Sequence, residues 1–285
     1  MNCLRTRIWL GGCLLSLALA LPSSLRAHAD LLLQIEDLNK EIAQKPNDPE
    51  LYLRRGLLRR AHLEYDEAYA DYERAAALAP DYKTLDLARG QLFIEAGWPL
   101  SARAYLDRFL NRTPDHVDAL ILRARALTVL QLRMAAAADF DRALTLAPEP
   151  GPDLFIERAQ VLLSEGDSNL NRALEGIDDG IRKLGPLVTL QLTAIDIELK
   201  RKNYDGALTR VDRVAERSPR KESWFARKGE ILKQAGRPAE ARQAYQGALA
   251  AMQTLPPARR GVPAMVELEK RLRREIESLP ANAQP

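Results

Sequence analysis

The chain has 285 residues, 46% of them hydrophobic and 6% aromatic, with 42 lysines and arginines against 39 acids. Residues 1–29 hold Arg5, Arg7 and Arg26 and no acid, so the rest carries 39 charges of each sign and lacks the basic excess a nucleic-acid partner needs. Both cysteines, Cys3 and Cys13, lie in that same segment, so no disulfide can staple residues 30–285.

In chain order, Arg5 and Arg7 form a basic start, residues 8–21 are an apolar run, and Ala27-His28-Ala29 offers small residues before a cut. This pattern predicts a secretory signal peptide removed before Asp30. The run is short for a membrane span. A lipoprotein signal ending at Leu10-Gly11-Gly12-Cys13 fits less well, because most of the apolar run would lie beyond the cut. The expected location is the periplasm of a bacterial envelope.

Residues 30–45 place Leu31, Ile35, Leu38 and Ile42 on one helical stripe before Pro46, as in a helix capping the start of an array. Residues 49–82 then set a pattern of 34. Counting Pro49 as position one, Tyr52 is fourth, Gly56 eighth, Tyr65 seventeenth, Ala68 twentieth, Tyr72 twenty-fourth, Ala75 twenty-seventh and Pro80 thirty-second. Gly56 and Ala68 are small where two helices must approach, and Pro80 ends the second helix.

Residues 83–116 repeat the register with Gly90, Ala102 and Pro114, and turn at Gly97-Trp98-Pro99. Residues 117–150 repeat it with Ala124, Ala136, Phe140, Ala143 and Pro148. Residues 152–187 keep Phe155, Ala159, Leu162 and Gly166, then need two extra residues around Ser168 and Asn169 before Ala173 and Ile177. They carry Gly180 where alanine is usual and stop at Gly185-Pro186.

Residues 188–221 keep Tyr204, Ala207 and Pro219 but place bulky Ile195 at the small-residue position, which predicts wider or shifted packing there. Residues 222–253 return to form with Phe225, Gly229, Leu232, Gly236, Ala241, Tyr245 and Ala248. A linker over 254–263, a polar capping helix over 264–279 with the stripe Leu268, Leu272 and Ile276, and a tail over 280–285 expected to be disordered complete the chain.

The spacing of Tyr52, Gly56, Tyr65, Ala68, Tyr72, Ala75 and Pro80 resembles the tetratricopeptide repeat, a helix–turn–helix unit of 34 residues. The resemblance covers 49–253. It implies an all-α, right-handed superhelical solenoid of about six repeats, with the first helix of each lining a concave surface through positions two, five, nine, twelve and thirteen. Position five gives Leu53, Leu87, Ile121, Ile156, Leu192 and Ala226; position nine gives Leu57, Gln91, Arg125, Gln160, Asp196 and Glu230; position twelve adds Ile94, Leu163 and Leu199. If exposed, the position-five row makes an apolar floor for a protein or peptide partner; the competing reading is core. Members that clamp a C-terminal carboxylate use lysine and asparagine where Leu53 and Leu87, and Leu57 and Gln91, stand here, so that clamp is not expected.

Two charged rows share the period. Position seven gives Arg55, Arg89, Arg123, Arg158 and Lys228, broken by Ala194, and the second helices give Glu73, Asp107, Asp141, Asp178 and Asp212. The cations either form a ladder for an acidic ligand or pair with the acids; the shared period favours pairing. His62 and His116 stand in different units without a second ligand at metal spacing, and no phosphate loop, nucleophile elbow or HExxH occurs. Neither a cofactor nor a catalytic site is expected.

The expected role is a non-catalytic envelope scaffold that binds peptide segments in the groove. The alternative is a structural subunit using convex or end surfaces. Lys270, Arg271, Arg273 and Arg274 could touch anionic lipid, but Glu267, Glu269, Glu275 and Glu277 favour a solvated face.

Overall fold

The computed structural model describes residues 23–280, and every regular element among them is helical. A first helix, α1 (Ser23–Gln44), is followed by six hairpins: α2 (Pro49–Ala61) with α3 (Tyr65–Leu78), α4 (Leu85–Glu95) with α5 (Pro99–Arg112), α6 (Val117–Val129) with α7 (Arg133–Leu146), α8 (Pro152–Glu165) with α9 (Leu170–Leu184), α10 (Val188–Lys200) with α11 (Tyr204–Arg217), and α12 (Glu222–Gln234) with α13 (Pro238–Gln253). Two more helices, α14 (Pro257–Arg260) and α15 (Pro263–Ser278), close the described chain.

Local chemistry sets these boundaries. The helices before Pro46, Pro80, Pro114, Pro148, Pro186 and Pro219 each end two residues ahead of the proline, which disfavours helical backbone at the residue before it. Proline stands in the first turn of α2, α5, α8 and α13, where its missing N–H costs nothing. Asp48, His116 and Asn203 cap α2, α6 and α11 with side-chain acceptors. Position fifteen takes a positive φ in all six hairpins, at Leu63, Gly97, Gln131, Gly166, Lys202 and Gly236, because the tight reversal needs it.

The chain divides into two compact units, one ending at Ala88 and one beginning at Arg89. In the first, α2 packs on α1 and α3. Ile35, Leu38 and Ile42 of α1 are buried, while Leu31 is half-buried. In the second, each helix from α5 to α13 packs on the next, and α15 packs on α13. Met265, Leu272 and Leu279 join Ala226, Ile231 and Tyr245 in its terminal core.

Between paired helices the small-residue rule sets a small side chain on the first helix against a large one on the second. Positions eight and twenty-four face each other as Gly56 with Tyr72, Gly90 with Leu106 and Gly229 with Tyr245. Ala124 and Phe140, Ala159 and Ile177, and Ile195 and Val211 occupy the same positions and are all buried. Ile195 with Val211 is the bulkiest of these pairs, and α10 and α11 stay close along less of their length than α2 with α3, α6 with α7 or α12 with α13, in line with the wider packing expected from Ile195. Gly180 is small for the same reason as Gly56: a Cβ there would stand 2.9 Å from the Phe155 ring.

Two boundaries differ from the sequence reading, while the extra residues of the fourth hairpin fall where the sequence puts them. The expected linker contains α14, and the last helix begins at Pro263. The two extra residues of the fourth hairpin belong to a 3-10 turn, Asp167–Asn169. Helix α1 starts at Ser23, ahead of the expected cut; residues 1–22 of the leader and 281–285 of the tail lie outside the described residues.

Burial pushes the Tyr245 phenol up to about 12 from 10.0, with Glu275 and Glu230 adding to the shift. The folded state keeps that proton after the unfolded chain has released it, so stability is intact below pH 10 and falls as pH rises toward 12. Tyr245→Phe should lose less stability than the parent over that window, by roughly 1–2 kcal/mol, measured by urea unfolding at stepped pH.

Candidate binding surface on the first helices

The two charged rows pair with each other. In the first unit Arg55 donates from Nε (2.9 Å) and Nη2 (2.5 Å) to Asp71 and from Nη1 to Asn39 (2.7 Å). In the second unit Arg123 donates to both Asp139 oxygens at 2.7 Å and to Asp107 at 2.9 Å. Lys228 reaches Asp212 at 2.8 Å, and Arg158 and Arg172 share Asp141. Paired with Asp139 and Asp107, the Arg123 guanidinium is held above its ordinary range against a burial cost.

Half of that network was not legible in the acidic row. Arg123, Arg158 and Lys228 reach back to position twenty-five of the preceding second helix, as expected, and in four hairpins the position-seven cation also meets position twenty-three of its own. That position holds Asp71, Tyr105, Asp139 and Gly176. Tyr105 receives Arg89 over its ring at 5.4 Å, and Gly176 leaves the space that the Arg158 guanidinium fills. Where Ala194 breaks the row, Arg210 at position twenty-three supplies the cation from the other helix, donating to Asp178 at 2.8 and 2.9 Å and lying 3.6 Å from Glu198. Asp71, Asp139 and Glu198 are buried, which is where such pairs resist salt and solvent.

The expected apolar floor is not uniform. At position five Leu53 and Ala226 are core, 6% and 3% exposed; Leu87, Ile121 and Ile156 are half-buried, and Leu192 is 40% exposed. Leu57, Gln91, Ile94, Leu163 and Leu199 are half-buried, whereas Arg125, Gln160 and Asp196 are exposed. Leu199 packs against the terminal core. Leu53 therefore leaves the candidate surface.

The polar positions are tied across neighbouring first helices. Arg125 of α6 makes a two-pronged pair with Glu157 of α8, both bonds 2.8 Å, and that carboxylate holds Arg125 above its ordinary range. Arg227 of α12 bonds Asp196 of α10 at 3.0 Å, and Arg271 of α15 lies 3.6 Å from Glu230. Glu157 and Arg227 were missed because each row was read alone. The signal was an opposite charge 31 or 32 residues on.

A cleft lies on each side of the Arg125–Glu157 pair. One, of about 580 Å³, is bounded by Ile121, Leu154, Pro148 and Asp153; the other, of about 430 Å³, by Val129, Phe140, Val161 and Gln160. Both are of ligand-binding size. Of the expected surface residues, the structure brings Ile121, Arg125 and Gln160 to these clefts; Ile156, Leu163, Leu192, Asp196 and Leu199 line neither.

His62 sits at the end of α2 with Nδ1 2.8 Å from Glu64, and His116 caps α6 against the edge of Phe109. Among the described residues no cluster of His, Cys, Asp or Glu could hold a metal, and no helix is long and apolar enough to cross a membrane. On α15, Arg273 and Arg274 pair with Glu269 and Glu267, and Lys233 reaches Glu275 at 2.6 Å.

Helical hairpins that repeat in register, with paired charges between them and clefts along their first helices, define an all-α repeat protein. Family models agree: one for a tetratricopeptide repeat matches residues 87–151, and one for a tetratricopeptide repeat-like domain matches residues 158–263. The chain belongs to the tetratricopeptide repeat family.

Among solved structures, the chain is similar to a tetratricopeptide repeat protein from Parabacteroides merdae, at 19% identity and a TM-score of 0.53, over 88% of this chain and 95% of that one. It is also similar to the C-terminal part of a TPR repeat-containing protein from Cytophaga hutchinsonii, at 15% identity and a TM-score of 0.65, over 86% and 96%. A third likeness is to pilF of Pseudomonas aeruginosa, at 17% identity and a TM-score of 0.50, over 78% and 97%. No curated protein matches the chain. Proteins of this family are generally scaffolds for protein–protein interaction, and the fold is typically non-enzymatic.

Proposed function

We propose that this protein is a non-catalytic adaptor of the bacterial cell envelope that binds extended or helical peptide segments on its first-helix face between α6 and α8. The observation that carries the reading is the pair of clefts flanking Arg125 and Glu157, each with apolar walls and a charged border. Such a surface suits a segment with apolar anchors a few residues apart, seated on either side of a fixed polar bar. The envelope location rests on the basic start, the apolar run and the small residues before Asp30.

The test is affinity capture from a periplasmic extract of the host, with the N-terminus of the bait read by mass spectrometry. An N-terminus at Asp30 and a specific peptide-bearing partner are expected. Ile121→Glu with Val129→Glu should weaken that partner by roughly tenfold or more, because a carboxylate would enter each apolar wall. Retention of every partner by this variant, with its melting temperature unchanged, would remove the face from consideration.

A further inference from the structure

We propose that the cleft between the α9–α10 loop and the last turn of α11 is a second binding site, and that it takes the C-terminal residue of a peptide with an apolar side chain. It shares no lining residue with the clefts beside Arg125 and Glu157. Its volume is about 560 Å³, and Ile181, Val188 and Val214 give it apolar walls.

Three observations converge on that ligand. Gln191 lines the cleft, is only 3% exposed, and buries its side-chain oxygen without a donor among the described residues. A buried acceptor left unmet is costly, and a primary amide is complementary to a peptide group, accepting from its N–H and donating to its carbonyl. Arg213 and Arg217 stand one turn apart on α11 at the cleft's border; both are exposed, and neither makes an ion pair or hydrogen bond within the described residues. Glu216, also at the border, pairs with neither arginine, so the border keeps a net positive charge.

The third observation is the start of α10. Pro186, Val188 and Gln191 bring its N-terminus to the cleft, and that terminus has no side-chain cap and no acid in its first turn. Its free N–H groups and dipole favour an anion. A C-terminal residue joins the three matching groups on one short unit: an amide for Gln191, an apolar side chain for the walls, and a carboxylate for the arginines and the α10 terminus. A fatty acid would satisfy the charge and the walls but leave the amide unmet.

The experiment is an NMR titration of the ¹⁵N-labelled protein with N-acetyl-Ala-Val-Leu as the free acid, with the same peptide as its C-terminal amide, and with octanoate. Saturable shifts of the Gln191 side-chain amide and of the backbone around 213–218 are expected with the free acid. The C-terminal amide and octanoate should each bind roughly tenfold more weakly, as expected for loss of a charge-assisted or a buried hydrogen bond. Arg213→Gln with Arg217→Gln should cost the free acid a similar factor at an unchanged melting temperature, because neither side chain is paired among the described residues. Equal affinity for acid and C-terminal amide, octanoate binding as tightly as the peptide, no effect of the arginine pair, or shifts confined to Arg125 and Gln160 would each overturn the proposal. The last outcome would leave the first-helix surface standing, so the two sites fail separately.

Discussion

Gly229→Ala is expected to lower stability by about 2 kcal/mol, although alanine is the better helix former by about 1 kcal/mol. Its new Cβ would lie inside van der Waals contact of three atoms of the Tyr245 ring, which is 1% exposed and cannot swing away. Gly247→Ala is the control. There the nearest atom is Phe225 Cδ2 at 3.7 Å, an ordinary contact, so the propensity term acts alone and stability should rise by about 0.5–1 kcal/mol.

Urea unfolding of both variants separates packing from propensity. Adding Tyr245→Ile to Gly229→Ala should recover part of the loss, because alanine with isoleucine is the pair the fourth hairpin already uses at Ala159 and Ile177. Equal effects at Gly229 and Gly247 would refute the volume rule.

Arg123→Ala is expected to cost about 2–3 kcal/mol, below the 3–5 kcal/mol typical of a fully buried pair, because Asp107 is partly solvated. Asp139 is 8% exposed and would lose both of its bonds to the guanidinium. A double-mutant cycle with Asp139→Ala should show a coupling of about 1–3 kcal/mol. A cation held ready for an acidic ligand would behave differently. Its removal would abolish ligand binding and leave the urea midpoint where it was.

Leu53 and Glu73 show where row-by-row reading of the sequence stops. Leu53 shares its repeat position with half-buried Ile121, yet it is core, because the repeat position says which way a side chain points and not what packs over it. The acid that meets Arg55 twice is Asp71, two positions before Glu73, because the guanidinium reaches its own second helix as well as the one before. Arg210 escaped notice because the charge it supplies had moved to the opposite helix.

The sequence by itself determined the all-α class, the hairpin period, and where the second helix of the first five hairpins stops. Those depend on chain-local effects: the 3.6-residue spacing of apolar positions, proline's clash with the preceding turn, and glycine at three of the six reversals. Only the tertiary structure decided which acid meets which cation, how volume is shared between positions eight and twenty-four, and how Gln191 comes to face a cleft bordered by Arg213 and Arg217. Each of these depends on distances between helices set by summed side-chain volumes, and no single row of the repeat contains that sum.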